Sequence, residues 1–173
     1  EACRARGLVP FLDMAYQGFS DGIDTDAVAV RAFSASGLQF FVSSSFSKSF
    51  SLYGERVGAL TIVTAGKEES ARVMSQLKRV IRTNYSNPPI HGGALVATVL
   101  ASPELRQMWE TELAGMRDRI RAMRTGLVDA IKAQGVTQDF SFVVQQRGMF
   151  SYTGLTAAQV ERMKDEFGIY AVS

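Results

Sequence analysis

A single lysine lies within a serine-rich stretch that separates two apolar runs of the chain. Lys48 follows the run at residues 38–42, and Arg56 comes directly before the run at residues 57–63. Both runs are typical of buried strands, where an ammonium group without a partner loses favourable hydration. Reaction with an aldehyde removes that charge by forming an imine. The spacing therefore indicates a lysine that can bind a carbonyl compound covalently.

The residues around Lys48 are of the types that hold a phosphate group. Serine hydroxyls such as those of Ser45 and Ser47 donate hydrogen bonds to phosphate oxygens, and the guanidinium of Arg56 binds two oxygens at once. A reactive amine beside a phosphate site favours pyridoxal 5′-phosphate, held covalently at Lys48 and through its phosphate at Ser45 and Arg56. The same pattern also fits an ordinary loop lysine in a serine-rich connection between strands.

Asp13 and Tyr16 lie three positions apart at the end of a predicted strand at residues 8–15. In open α/β sheets the carboxyl ends of the strands face the ligand. Beside a pyridine ring, the Asp13 carboxylate would keep the ring nitrogen protonated, and the Tyr16 phenol would bond the 3-oxygen. Without a ligand, Asp13 begins a turn and Tyr16 is a half-buried tyrosine.

Arg82 ends a predicted amphipathic helix at residues 67–84 and is followed by paired prolines. A cation at this position interacts favourably with the negative end of the helix dipole. The same guanidinium is also suited to bind a substrate carboxylate through two hydrogen bonds. His91 is the only histidine, so the sequence predicts no histidine metal site and no Cys/His nucleophilic pair. We expect His91 to begin a helix or to lie in the core.

The composition is that of an ordinary globular protein. The chain has 173 residues, of which 46% are hydrophobic and 21% charged, enough for a substantial core. A net charge of +2 with 17 acidic residues predicts no nucleic-acid partner. Cys3 is the only cysteine, which excludes an internal disulfide and fits a reducing compartment. No apolar run approaches a membrane span and no signal peptide opens the chain, so we expect a cytoplasmic protein without a membrane segment.

The order of elements predicts an α/β fold. A helix capped by residues 24–26 separates the first strand from the second at residues 38–44, which favours a parallel βαβ unit. A third strand is predicted at residues 57–64, and further elements are expected to follow it. They are helices at 67–84, 91–101 and 104–134, strands at 140–145 and 149–152, a helix from Thr156 to Phe167 with Gln159 in a capping box, and a strand starting at 168–173.

The helix at residues 104–134 is longer than a small domain needs, so we expect it to link two lobes. Its methionines and Trp109 are typical core residues. Four arginines alternate with apolar residues, which indicates a solvated helix face. They are Arg117, Arg119, Arg121 and Arg124. Because the chain begins and ends in core-type strands, we expect it to be a piece of a longer protein.

Four motifs together resemble the aspartate/aromatic (tyrosine) aminotransferases, the class I branch of the fold type I pyridoxal-phosphate enzymes. They lie at residues 13–19, 43–58, 82–89 and 148–155, in the order found in that family. The resemblance implies a mainly parallel sheet with flanking helices, a long linking helix and part of a small α+β C-terminal domain. The implied boundaries are 1–104 for the second half of the large cofactor domain, 105–134 for the linking helix and 135–173 for the start of the small domain.

The resemblance also implies a role for each cofactor-binding residue. Lys48 forms the imine with the cofactor and moves a proton between the substrate α-carbon and C4′ of the cofactor. Asp13 pairs with the pyridine nitrogen, and Tyr16 pairs with the 3-oxygen. The phosphate is held by Ser45 and Arg56, with Ser47 beside them.

The implied substrates are an amino acid and a 2-oxo acid, with 2-oxoglutarate and glutamate as one pair. Arg82 of a partner subunit would bind the side-chain carboxylate of the substrate, with Ser86 and Asn87 close by, which requires a homodimer. Phe150 would line the substrate pocket. Residues 47–56 and 146–152 look more like the members that prefer aromatic substrates, while the choice between aspartate and tyrosine stays open.

Family members are much longer than this chain and take further active-site groups from elsewhere in their sequences. We therefore expect the chain alone to lack appreciable transaminase activity. Two alternatives stay open: a non-catalytic fragment or interaction module with this fold, and a pyridoxal-phosphate lyase or decarboxylase. The second alternative would not need Arg82.

Overall fold

Three neighbouring strands form a mixed sheet in the computed structural model, which describes residues 1–172. Strand β1 is Phe11–Met14, β2 is Phe40–Ser45 and β3 is Gly58–Val63. Strands β1 and β2 are parallel, which confirms the predicted βαβ unit, and the chain then reverses so that β3 runs antiparallel to β2. The predicted α/β fold is therefore confirmed, and one of its two strand pairings is antiparallel.

Helices flank and follow the sheet. A 3-10 turn, Tyr53–Glu55, interrupts the connection from β2 to β3. The helices are α1 (Ala2–Ala5), α2 (Ile23–Asp26), α3 (Val28–Ala35), α4 (Lys67–Asn84), α5 (His91–Ala101), α6 (Pro103–Ala133), α7 (Ser141–Gln145) and α8 (Ala157–Phe167). None of the helices within residues 1–172 is long and apolar enough to cross a membrane.

The chain divides into two compact units, Glu1–Arg119 and Ile120–Ser173, so the boundary falls inside α6. The core of the first unit contains Phe40 and Val42 from one face of β2, and each is followed by a half-buried residue, as expected for a strand. Leu113 of α6 is 1% exposed and belongs to the same unit. In the second unit, Val143 and Val160 are buried.

The predicted helix cap at residues 24–26 is wrong. Helix α3 begins at Val28 after Ala27, without a side-chain cap. The Asp26 carboxylate instead accepts hydrogen bonds from the backbone N–H groups of Gly18, Ser20 and Asp21, at 2.8, 3.0 and 2.9 Å. A carboxylate satisfied in this way stabilises the turn that follows β1.

The predicted strands at 140–145 and 149–152 are also wrong. Asp139 accepts from both the N–H and the hydroxyl of Ser141, at 2.8 and 2.9 Å, and this local turn opens helix α7 instead of a strand. Backbone groups of Phe150 and Tyr152 form hydrogen bonds with side chains, as described below. Residues 149–152 have no strand partner among residues 1–172. The capping box of Thr156 and Gln159 is confirmed at the start of α8. No strand occurs at residues 168–172, and Ser173 lies outside the described residues.

We predict that Gly18→Ala destabilises the protein more than Gly37→Ala. Both glycines have positive φ values, +96° and +71°, so both substitutions carry a backbone cost. A Cβ at position 18 would lie 2.6 Å from Leu113 Cδ2, whereas nothing lies within 4 Å at position 37. Because Leu113 is buried and has little room to move, Gly18→Ala should lower the free energy of unfolding by roughly 1–3 kcal/mol more than Gly37→Ala in urea titrations. Equal losses would contradict this packing argument.

Candidate active site

The parallel pairing of β1 and β2 places Asp13 beside Ser43 near the carboxyl ends of both strands. The hydroxyl of Ser43 lies 3.4 Å from Asp13 Oδ1, and the backbone N–H of Ala15 donates to the same oxygen at 3.1 Å. These two donors hold the carboxylate at the end of the sheet that meets the lysine-bearing loop. The sequence pattern had not indicated the contact with Ser43.

Lys48 lies in the loop between β2 and β3, close to Tyr16. The Lys48 Nζ is 4.9 Å from the centroid of the Tyr16 ring and 5.9 Å from that of Tyr53. Phe46 N–H donates to Val57 O at 3.2 Å. This hydrogen bond continues the pairing of β2 with β3 and joins the two ends of the loop. The structure therefore brings together an amine and a phenol that are 32 positions apart in the sequence.

The serine pair predicted to bind phosphate lies at the end of β2. Ser45 is opposite Gly58 in the register of β2 and β3, and the N–H of the buried Ser47 donates to Ser45 Oγ at 3.3 Å. Arg56 is two residues before Gly58, so the loop returns it to this end of the sheet. Its Nη1 donates to Tyr53 O at 2.9 Å.

Arg56 has a left-handed backbone, with φ +53° and ψ +43°. For a residue with a Cβ this conformation costs about 1–2 kcal/mol and persists only where the surrounding structure imposes it. Such residues cluster at functional sites, which makes Arg56 notable on grounds other than its charge.

Trp109 supports the Lys48 loop, a role that the sequence pattern had not revealed. Its indole N–H donates to the carbonyl of Ser49 at 2.6 Å, and its ring stacks on Phe50 at a centroid distance of 4.4 Å. Both contacts are with the residues that directly follow Lys48. A buried tryptophan needs a hydrogen-bond partner for its N–H. This requirement was the one signal in the sequence that could have indicated a contact of Trp109 outside its helix.

Arg82, Ser86 and Asn87 form a separate exposed group at the end of α4. Arg82 Nη1 donates to the hydroxyl of Ser86, and Asn87 N–H donates to Tyr85 O at 2.8 Å. Ser86 has a φ of +67°, which turns the chain back toward the arginine. A hydrogen bond therefore joins Arg82 to Ser86, whereas Asn87 is bonded to Tyr85.

Phe150 and Arg124 belong to the second unit. Phe150 is 70% exposed. Arg124, predicted on a solvated helix face, is 5% exposed, so that prediction is wrong. Its guanidinium can be buried because four oxygen acceptors satisfy it, and burial lowers the pKa of the Arg124 guanidinium from its ordinary value. Alternation in the sequence could not distinguish such an arginine from an exposed one.

The side chains near the carboxyl end of β2 provide several kinds of chemistry. They offer an amine that can act as a nucleophile or as an acid and base, a fixed carboxylate, a phenol, two serine hydroxyls and a guanidinium. This set suits an organic ligand that carries a carbonyl group and a phosphate. Within residues 1–172, no group of three or more His, Cys, Asp and Glu side chains is placed to hold a metal ion.

Comparisons with known proteins agree on one family. The family model described as aminotransferase class I and II matches residues 1–173. The aspartate aminotransferase of Pseudomonas aeruginosa is 69% identical over all 173 residues, which make up 44% of that protein. The tyrosine aminotransferase of Klebsiella pneumoniae is 50% identical over the same length, again 44% of that protein.

A solved structure gives the same result. The aromatic-amino-acid aminotransferase of Burkholderia pseudomallei, covalently bound to pyridoxal phosphate, superposes with a TM-score of 0.96 and 71% identity. The alignment covers 99% of this chain and 43% of that structure, so the chain spans less than half the length of the relatives it matches. By sequence and by fold, the chain belongs to the class I and II aminotransferase family.

Proposed function

We propose that this chain carries the reactive lysine of a pyridoxal-phosphate-dependent aminotransferase. The enzyme would move an amino group between an aromatic or dicarboxylic amino acid and a 2-oxo acid, with glutamate and 2-oxoglutarate as one pair. The observation that carries the proposal is the position of Lys48, whose Nζ lies 4.9 Å from the Tyr16 ring, near the end of the sheet that holds Asp13. The family and the names of the relatives support it.

The residues at this end of the sheet fit pyridoxal phosphate group by group. The Lys48 amine is available for the aldehyde carbon, the Asp13 carboxylate for the ring nitrogen and the Tyr16 hydroxyl for the 3-oxygen. The phosphate would be held by Ser45, Ser47 and Arg56. When bound here, the cofactor supplies an electron-withdrawing ring that stabilises negative charge at the α-carbon of the substrate.

Lys48 has two tasks in this mechanism. Its amine would hold the cofactor covalently and, once free, would serve as the base that removes the proton from the substrate α-carbon. The same nitrogen would hold that proton and deliver it to C4′ of the cofactor. The adjacent Tyr16 ring keeps the amine in place through a cation–π contact whenever the amine is charged.

Asp13 and Arg56 act through their charges. The Asp13 carboxylate, oriented by Ser43 and Ala15, would keep a proton on the ring nitrogen, since an anion stabilises an adjacent cation. Arg56 balances the phosphate charge and would form paired hydrogen bonds with its oxygens. Its present hydrogen bond with Tyr53 O leaves the other guanidinium nitrogens to serve as donors.

Arg82 would recognise the substrate from a partner subunit of a homodimer. Its side chain is exposed and is oriented by Ser86, so its fork is available for a dicarboxylate. Asn87 lies beside it, and Phe150 would contact the substrate side chain. We also propose a cytoplasmic location, because Cys3 is a free thiol of the kind found in reducing compartments.

We predict that borohydride reduction of the full-length enzyme that carries this sequence fixes the cofactor to Lys48. Mass spectrometry of the proteolytic peptides would locate the adduct. Lys48→Ala should abolish the near-ultraviolet or visible absorbance band of the imine between Lys48 and the cofactor. It should also lower the transamination rate by at least about 10²–10⁴-fold, because the base is lost. The exposed Lys78 on α4 offers a control, and Lys78→Ala should keep both properties. An adduct on another side chain would refute the proposal.

The chain alone is expected to show no appreciable transamination of glutamate with a 2-oxo acid. The chain spans less than half of the relatives it matches. The family resemblance implies that further cofactor and substrate contacts come from outside this segment. A coupled assay on the purified 173-residue chain, with the full-length enzyme as the positive control, measures this directly. A normal rate from the chain alone would show that these outside contacts are dispensable.

Replacing Arg82 with Gln in the full-length enzyme should lower kcat/KM for aspartate and glutamate by about 10- to 10³-fold, because an ion-paired carboxylate loses its partner. The effect on tyrosine or phenylalanine should be smaller, since these side chains carry no carboxylate. Arg79→Gln, an exposed change on the same helix, is the matched control. Unchanged dicarboxylate kinetics in Arg82→Gln would favour the lyase or decarboxylase alternative.

A further inference from the structure

Arg124 is bound to one face of a closed loop, residues 146–152, which we call the 146–152 loop. Its guanidinium donates to the carbonyls of Gln146, Gly148 and Phe150 at 2.9, 2.6 and 2.7 Å. A fourth hydrogen bond, from Nε to the hydroxyl of Ser151, measures 2.8 Å. Three carbonyls from alternate residues therefore point at one side chain.

The two ends of the 146–152 loop are joined by a side chain. Gln146 Nε2 donates to Tyr152 O at 2.7 Å, and Tyr152 N–H donates to Gln146 Oε1 at 2.7 Å. The amide of Gln146 thus pairs with the backbone of Tyr152 as a strand partner would. Together with the contacts of Arg124, this pairing holds the loop at both ends and along its inner face.

Ion pairing does not account for the burial of Arg124. The oxygens that its guanidinium contacts within residues 1–172 are all neutral, three carbonyls and one hydroxyl. The charges that act on it from nearby are those of Arg121 and Arg147, both of the same sign. A buried cation in such surroundings depends on aligned carbonyl dipoles, so the loop and the guanidinium stabilise each other.

The carbonyls that turn toward Arg124 leave side chains of the loop turned outward. Phe150 and Tyr152 are 70% and 72% exposed, although both are large and apolar. Phe150 is held through its backbone carbonyl, so a shift of Arg124 would move the backbone that carries the aromatic ring. A ring carried on a backbone that is held in place is suited to present an apolar surface to a ligand.

We propose that Arg124 is a positioning residue that sets the place of Phe150 and thereby the enzyme's discrimination between aromatic and dicarboxylic substrates. The inference rests on the proposed function, in which Phe150 contacts the substrate side chain. Lysine cannot replace arginine here, because a single ammonium lacks the planar fork that reaches four acceptors. With lysine at position 124, the hydrogen bonds between Gln146 and Tyr152 would keep the ends of the loop together. The carbonyls that Arg124 binds would lose their common donor.

The test compares Arg124→Lys with the wild type in the full-length enzyme. We expect KM for tyrosine and phenylalanine to rise by about 10-fold, while KM for aspartate changes by less than about 3-fold, because the aspartate side chain needs no apolar surface. Binding of 3-phenylpropionate, an aromatic acid that cannot react, should weaken by a similar factor in calorimetry. The pH midpoint at which the cofactor absorbance changes should be the same in Arg124→Lys and in the wild type.

Two further variants keep the proposal falsifiable. Gln146→Ala opens the loop from its other end with Arg124 intact, and it should raise KM for aromatic substrates selectively; this variant decides the question if Arg124→Lys does not fold. Arg119→Lys, an exposed change on α6, is the matched control and should leave all constants unchanged.

Equal changes in KM for both substrate classes, or no change in KM in a folded Arg124→Lys enzyme, would refute the role of Arg124. Neither result would refute the proposed function. A wild-type enzyme that binds the cofactor at Lys48 but does not transaminate would overturn the proposed function, and this inference with it. The two failures are therefore distinguishable from the wild-type measurement.

Discussion

The candidate site depends on the register between β1 and β2. Because the two strands run parallel, their carboxyl ends lie side by side, and Asp13 is opposite Ser43. The chain then leaves β2 at Ser45 and returns at Gly58, so the whole lysine-bearing loop projects from the same end of the sheet. A slip of one residue in β2 would turn Ser43 to the other face and bury the wrong side chains.

Two loops of opposite polarity follow one principle. The negative carboxylate of Asp26 gathers three backbone N–H groups around the turn after β1, and the positive guanidinium of Arg124 gathers three carbonyls of the 146–152 loop. In each case a charged side chain provides hydrogen-bond partners for backbone N–H or C=O groups that lie outside strands and helices. The turn after β1 adjoins Tyr16, and the 146–152 loop contains Phe150, two residues with proposed roles.

Sequence patterns predicted the regular elements well because their periodicity is local. The strands, the helices α4 to α6 and the capping box of Thr156 follow from spacing and from capping residues. Residues 140–152 were predicted wrongly, since Asp139 and Arg124 satisfy the backbone there through side chains that apolar alternation does not reveal. Lys48, Asp13 and Tyr16 were indicated by residue type, but their proximity depends on strand pairing, and the indole support from Trp109 crosses 60 positions.

The neighbours of Lys48 give its location a consequence for protein engineering. Ser47 and Ser49 are buried on either side of it, whereas Lys48 itself is half-buried, so its long stem has room that the adjacent positions lack. An amine transplanted to position 47 or 49 would have to occupy the space of a small hydroxyl and surrender its hydration. Moving the lysine to position 47 or 49 would therefore require redesign of the whole segment from β2 to β3. Exchanging the lysine with an adjacent serine would not be enough.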